Sequence, residues 1–192
     1  AMLRSLVGSE MCIRDRCRTA RLENHNYNSF HVFMDGFILF LMNSIPFLLN
    51  ISSTWFMVGL IWLIQIVHYP LFNLVGKNEF LVYHNGHSVL ITPLVGTVMI
   101  IELISSILLV VFPPKNVSLT IPIIGVILVF IIWASTAFLQ IPQHNALANA
   151  YELKAHNILV QTNWIRTIAW SMRGLLLLYM LHLFLTQQET PP

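Results

Sequence analysis

An all-α integral membrane protein, an antiparallel bundle of four spanning helices, is the fold that the sequence predicts, on three observations. Of the 192 residues 56% are hydrophobic and only 9% are charged, where soluble domains run at about 25% charged, and the mean hydropathy is +0.72. Four apolar runs each approach the ~20 residues that a membrane span needs. Polar connections separate them, so successive spans alternate in direction. The length fits one domain. The net charge is only +2, and there is no basic patch with interleaved aromatics, which excludes nucleic acid as a partner.

Residues 1–33 differ in kind. They hold Arg4, Arg14, Arg16, Arg18 and Arg21, half of the 10 Lys plus Arg, and both cysteines, Cys12 and Cys17. Leu3 to Arg16, above all Ser5-Leu-Val-Gly-Ser-Glu-Met-Cys-Ile-Arg-Asp-Arg16, is similar to a translated sequencing adaptor. On that reading residues 1–33 are a non-native or disordered leader, and the native start falls near Met34 or Met42. Disulfide, zinc-thiolate and cysteine-nucleophile chemistry then drop out. A basic amphipathic leader is the alternative.

The membrane domain is expected over residues 34–187. Phe37 to Leu49 is apolar but interrupted by Asn43 and Pro46, and reads as a lead-in. Span one covers about 53–72, broken only by Gln65 and His68, and Pro70 ends or kinks it. Residues 73–87 are mixed and suit an interfacial helix or a polar extension of span two. Span two covers about 88–112, and Pro113-Pro114-Lys115-Asn116 turns the chain. Span three covers about 119–141. A polar loop over 142–161 leads to span four, about 162–185, and residues 188–192 form a polar tail.

Alternation of the spans decides where the polar residues meet. The end of span one, the start of span two, the end of span three and the start of span four share one membrane face. There lie His68, His84, His87, His144, His156, Asn163 and Arg166; of the histidines from residue 34 onward, His182 alone falls at the other end. Lys77, Lys154, Arg166 and Arg173 lie towards this face and Lys115 opposite, so the positive-inside rule puts the histidine face in the cytoplasm of a bacterial inner membrane. The halves also echo each other: Trp62, Gln65 and His68 against Trp133, Gln140 and His144 resemble a weak parallel repeat.

Imidazole binds iron, copper and zinc, so His68, His84, His87 and His144 are the metal candidates. A haem between His68 and His144 is a second form of the same idea. Against both stands the ordinary reading, that histidines at span ends simply meet water. Glu102 is about 22 Å along the helix from His87, which separates it from that group. A carboxylate at bilayer depth costs about 2.5–3.5 kcal/mol on insertion scales, and Arg173 lies at comparable depth on span four to pair with it. The pair reads either as a pin between helices or as a proton carrier. Gln65, Gln140, Asn145 and Trp170 complete the inward polar set as substrate-binding candidates, with His68, His144, Asn163 and Arg166 as catalytic ones.

Ile141-Pro-Gln-His-Asn145-Ala-Leu147, followed by Gln161-Thr-Asn163-Trp-Ile-Arg166-Thr167, resembles a family of small four-span membrane proteins that includes the fungal anthrone oxygenases. The resemblance covers residues 50–185 and rests on Pro-x-x-Asn-x-x-Leu after span three and Asn-x-(Val/Ile)-Arg-Thr in span four. It implies an oxygenase or oxidoreductase acting on a lipophilic aromatic or quinone-like compound, with Asn145, Asn163 and Arg166 in the shared polar end. His68-Tyr-Pro70 and Tyr83-His84-x-x-His87 depart from the general pattern and are closer to a bacterial branch. That departure favours a metal over cofactor-free oxygenation.

The expected function is therefore a membrane oxidoreductase or oxygenase with its site at the histidine end, partnered by the lipid bilayer and a lipophilic small molecule. A homo-oligomer is left open. The alternatives are a small permease, a metal or haem carrier built on Glu102 and Arg173, and a structural subunit of a larger membrane complex.

Overall fold

The computed structural model describes residues 34, 44–76 and 78–186. The adaptor-like leader, both cysteines, Lys77 and the tail from residue 187 lie outside them. Four helices are long and apolar enough to cross a membrane: α1 Ser44–Phe72, α2 Phe80–Val111, α3 Thr120–Leu147 and α4 Leu153–Thr186. The described residues contain no strand. The chain is a multi-pass, all-α integral membrane protein.

α2, α3 and α4 run further than the expected spans at the histidine end, whereas α1 ends at Phe72 as expected and is already helical at Ser44, within the stretch expected to be a lead-in. The expected loop over 142–161 shrinks to residues 148–152, and residues 80–87 become the first turns of α2. Polarity was a poor guide there, because His84, His156 and Asn163 are buried against other helices instead of meeting water. Asn116 turns the chain with φ 66°, a left-handed geometry that Asn tolerates better than most residues.

α1 and α3 share a local irregularity. Each widens into a π turn, at Ile64–His68 and Thr136–Gln140, in which the N–H of Tyr69 bonds Ile64 O and that of Ile141 bonds Thr136 O. Pro70 and Pro142 follow directly. A proline ring crowds the carbonyl four residues back and offers it no donor, and a wider turn accommodates both defects. Such turns are frequent at functional sites. The echo between the two halves thus includes backbone geometry at Gln65 and Gln140.

Three apolar clusters fill the bundle. Met57, Ile61, Met99, Ile132 and Trp170 pack in the middle; Phe72, Phe80, Leu147 and Leu159 at the histidine end; Phe47, Leu109, Leu177 and Met180 at the far end. The outward residues are as apolar as the core: Leu90 is 76% exposed and Phe138 77%. In lipid such a surface is satisfied, so packing and interhelical hydrogen bonds, not the hydrophobic effect, must hold the helices together. At Gly174 of α4 an added Cβ would stand 3.3 Å from the Trp55 ring of α1.

One buried network ties all four helices. Arg173 Nε donates to Glu102 Oε1 at 3.0 Å. The Thr54 hydroxyl donates to the same oxygen at 2.7 Å, and the Trp170 indole to Oε2 at 3.0 Å. Arg173 donates further to Gly125 O, Asn50 Oδ1, Thr54 Oγ1 and Ser106 Oγ. Asn50 in turn donates to Glu102 O and to the hydroxyls of Ser105 and Ser106. Asn50 is 1% exposed, which removes the Asn50-Ile-Ser52 sequon from any glycosylation role.

Candidate functional site

α2 and α3 pack closely along Thr120–Ser135 and part beyond Thr136, where His84 and His144 still bridge them. The gap is a cavity of about 490 Å³. Its apolar walls include Ile64, Ile91, Val95, Met99 and Trp133; its polar groups include Tyr69, His87, Gln140, His144, Asn145 and Arg166. The π turn of α3 begins where the helices part, so Gln140 and His144 both face this space. Gly96 also lines it, and an added Cβ there would meet nothing within 4 Å.

The four histidines singled out above converge. His68 Nε2 lies 2.9 Å from His87 Nδ1, and His84 Nε2 lies 3.1 Å from His144 Nδ1. The other nitrogen of His144 is 3.3 Å from the Tyr69 hydroxyl. Tyr69, His144 and His84 therefore form a continuous hydrogen-bonded chain. Phe72, fully buried, sets its ring edge against His68, His84 and His87 and fixes their planes. His84 stacks between Phe80 and His144. His87 and His144 reach the cavity; His68 and His84 stand behind them as their hydrogen-bond partners. Among the described residues no group of three or more His, Cys, Asp or Glu is arranged to hold a metal ion; the imidazoles associate in two pairs.

His156 has a different task. Its Nε2 bonds the Tyr69 carbonyl at 2.8 Å. That carbonyl lies in the last turn of α1, where Asn73 N–H turns instead to Leu71 O and Pro70 O. The imidazole thus satisfies a helix-end acceptor.

The other sequence candidates divide. Gln140 and Asn145 line the cavity, as does Arg166, but Gln65, Asn163 and Trp170 do not. Asn163 donates to Gln65 Oε1 at 2.7 Å, and Gln65 Nε2 donates to Val160 O at 3.2 Å. The NH2 of Asn163, expected among the catalytic residues, is thus directed at α1, while its Oδ1 is buried without a partner among the described residues. Trp170 likewise serves Glu102. Glu102, in turn, belongs to the midplane network and not to the histidine group, because α2 continues as one helix through Pro93.

Tyr69 is the functional candidate that sequence reasoning missed. A signal was available, since Gln65 and Tyr69 are four residues apart and share a helix face. Interhelical hydrogen bonds average ~0.6 kcal/mol and reach about 1.7. Gln65→Ala and Asn163→Ala are each expected to cost about 1 kcal/mol in detergent unfolding, and the double variant no more than either alone. Additive losses would show that the two amides act separately.

No family model, curated protein or solved structure matches the chain.

Proposed function

We propose that the chain is a membrane oxidoreductase that acts on a lipophilic aromatic or quinone-like compound bound between α2 and α3. One observation carries this reading: a largely apolar cavity of about 490 Å³ at the histidine end of the bundle has two imidazoles and a phenol in its wall. Small-molecule sites span about 300–1,000 Å³ and combine apolar walls with a few convergent polar groups. Removing electrons from a phenolic or quinol ring requires its protons to leave. An imidazole can take such a proton as a general base, and the Tyr69–His144–His84 chain would share it over two rings beside the cavity. The resemblance carried by Ile141–Leu147 and Gln161–Thr167 points to the same substrate class. A carrier built on Glu102 is less well supported, because both carboxylate oxygens are engaged by Thr54, Trp170 and Arg173.

A metal-dependent form of the reading rests on the imidazole pairs. Two nitrogens bound at about 2.1 Å to one ion stand roughly 3.0–3.4 Å apart at octahedral or tetrahedral angles. The observed separations are 2.9 and 3.1 Å. His68 with His87, or His84 with His144, would supply the ligands, and iron, copper or zinc would supply redox or Lewis-acid chemistry. A haem between His68 and His144 fits less well, since each of these rings bonds a different α2 histidine. The cofactor-free form needs the proton chain and dioxygen as the electron acceptor, two electrons and two protons leaving a quinol to give the quinone and hydrogen peroxide. The proposed setting is a bacterial inner membrane with the histidine end in the cytoplasm. Arg166 and Arg173 are buried and carry no weight as loop charges, which leaves Lys77 and Lys154 against Lys115.

The test is oxygen uptake by the detergent-purified protein with an anthrone and with a naphthohydroquinone, alongside metal content and an absorption spectrum. Turnover that is lost in His144→Ala supports the reading, and a stoichiometric metal lost in the same variant selects its metal-dependent form. A folded protein that oxidises neither compound and holds no metal would end it.

A further inference from the structure

Two arginines lie two turns apart on α4 and are treated in opposite ways. Arg173 is saturated by Glu102, Gly125, Asn50, Thr54 and Ser106. Arg166 is 5% exposed, and among the described residues its guanidinium has neither an ion-pair partner nor a hydrogen bond. Its Nε is buried with no acceptor. The Trp170 ring lies 5.3 Å from the guanidinium carbon. A cation within a membrane domain is costly and is ordinarily paired.

Arg166 lines the cavity, and no carboxylate does. Leaving the imidazoles aside, it is the one charged side chain among the described lining residues. Trp133, also in the wall, has a buried indole N–H without an acceptor. The space thus presents a fixed positive charge, enclosed by Ile64, Ile91, Val95 and Met99.

We propose that the cavity selects an ionised ligand: a planar aromatic whose phenolate, enolate or carboxylate oxygen pairs with Arg166 while its rings lie between α2 and α3. This rests on the cavity being the substrate site and adds the charge state to it. Guanidinium pairs a planar oxyanion through two parallel bonds. A two-chain anionic lipid carries the same charge but far exceeds about 490 Å³, so the aromatic anion is the better occupant. An ionised phenol or enol is also the more easily oxidised form, which is how the pairing would serve the proposed reaction.

The experiment compares binding of 2-hydroxy-1,4-naphthoquinone, an anion at neutral pH, with that of 2-methoxy-1,4-naphthoquinone, its neutral analogue. The wild-type protein in neutral detergent, Arg166→Gln and Arg166→Lys are each titrated. Hydrogen bonds to charged groups are worth about 1.5–3 kcal/mol, so the wild type is expected to prefer the anion by about tenfold to a hundredfold. Arg166→Gln should reduce that preference to within about twofold, Arg166→Lys should keep part of it, and phosphatidylglycerol in the micelle should not displace the anion. Equal binding of the two compounds by the wild type overturns the charge selection while leaving the aromatic cavity in place. Binding of neither compound overturns both, and displacement by phosphatidylglycerol assigns the arginine to lipid. The wild-type comparison stands even if Arg166→Gln fails to fold.

Discussion

Arg173→Met, with Glu102 retained, is expected to destabilise the bundle by about 3–5 kcal/mol, the range for breaking a buried ion pair from one side. The physical reason is specific. The carboxylate keeps Thr54 and Trp170 as donors but loses its only counter-charge, and Asn50 and Ser106 lose the group that orders them. Glu102→Gln should cost a comparable amount by stranding the guanidinium. The double variant Glu102→Gln/Arg173→Met should recover much of the loss, since no unpaired charge remains. Reversible unfolding in detergent, monitored by helicity, measures all three. Single variants that unfold like the wild type but lose turnover would move Glu102 from pin to proton carrier.

The second large effect is expected at the cavity histidines. His144→Ala and His87→Ala should each lower turnover by about 10²–10⁴-fold, the usual worth of a positioned acid or base, with little change in unfolding. His144 is the more sensitive of the two, because its removal cuts both Tyr69 and His84 out of the chain. His156→Ala should behave in the opposite way. It leaves the Tyr69 carbonyl without its side-chain donor, so it should cost stability, about 1–3 kcal/mol for a buried acceptor left unpaired, while kcat changes less than tenfold. Steady-state kinetics beside thermal unfolding of the same three preparations separates the roles. If His156→Ala lost turnover as His144→Ala did, with its melting unchanged, the division between cavity and capping histidines would fail.

Much of this site was legible before any coordinates. Alternating spans put His68, His84, His87 and His144 at one end, and they are found within hydrogen-bonding reach there. Glu102 and Arg173 were at matching depth, and they pair. Helix ends were not legible. A polar stretch such as 142–161 looks the same whether its side chains meet water or meet another helix, and here His144, His156 and Asn163 meet helices. Which neighbour Asn163 and Trp170 meet was not legible for a related reason. An inward face on one helix does not say whether the opposing surface is a cavity or a second side chain.

What the sequence by itself determined is the class of protein, the number of spans and the end at which the polar residues gather. Those follow from hydropathy and from the parity of membrane crossings, which need no distances. Only the tertiary structure decided that α2 and α3 part beyond Thr136, that the histidines join in two pairs, and that Arg173 is saturated while Arg166 is not. These depend on how each helix is rotated about its axis and where it leaves its neighbour. The π turns at Ile64–His68 and Thr136–Gln140 alter that rotation by about 100° for each added residue, so a regular 3.6-residue count cannot supply it.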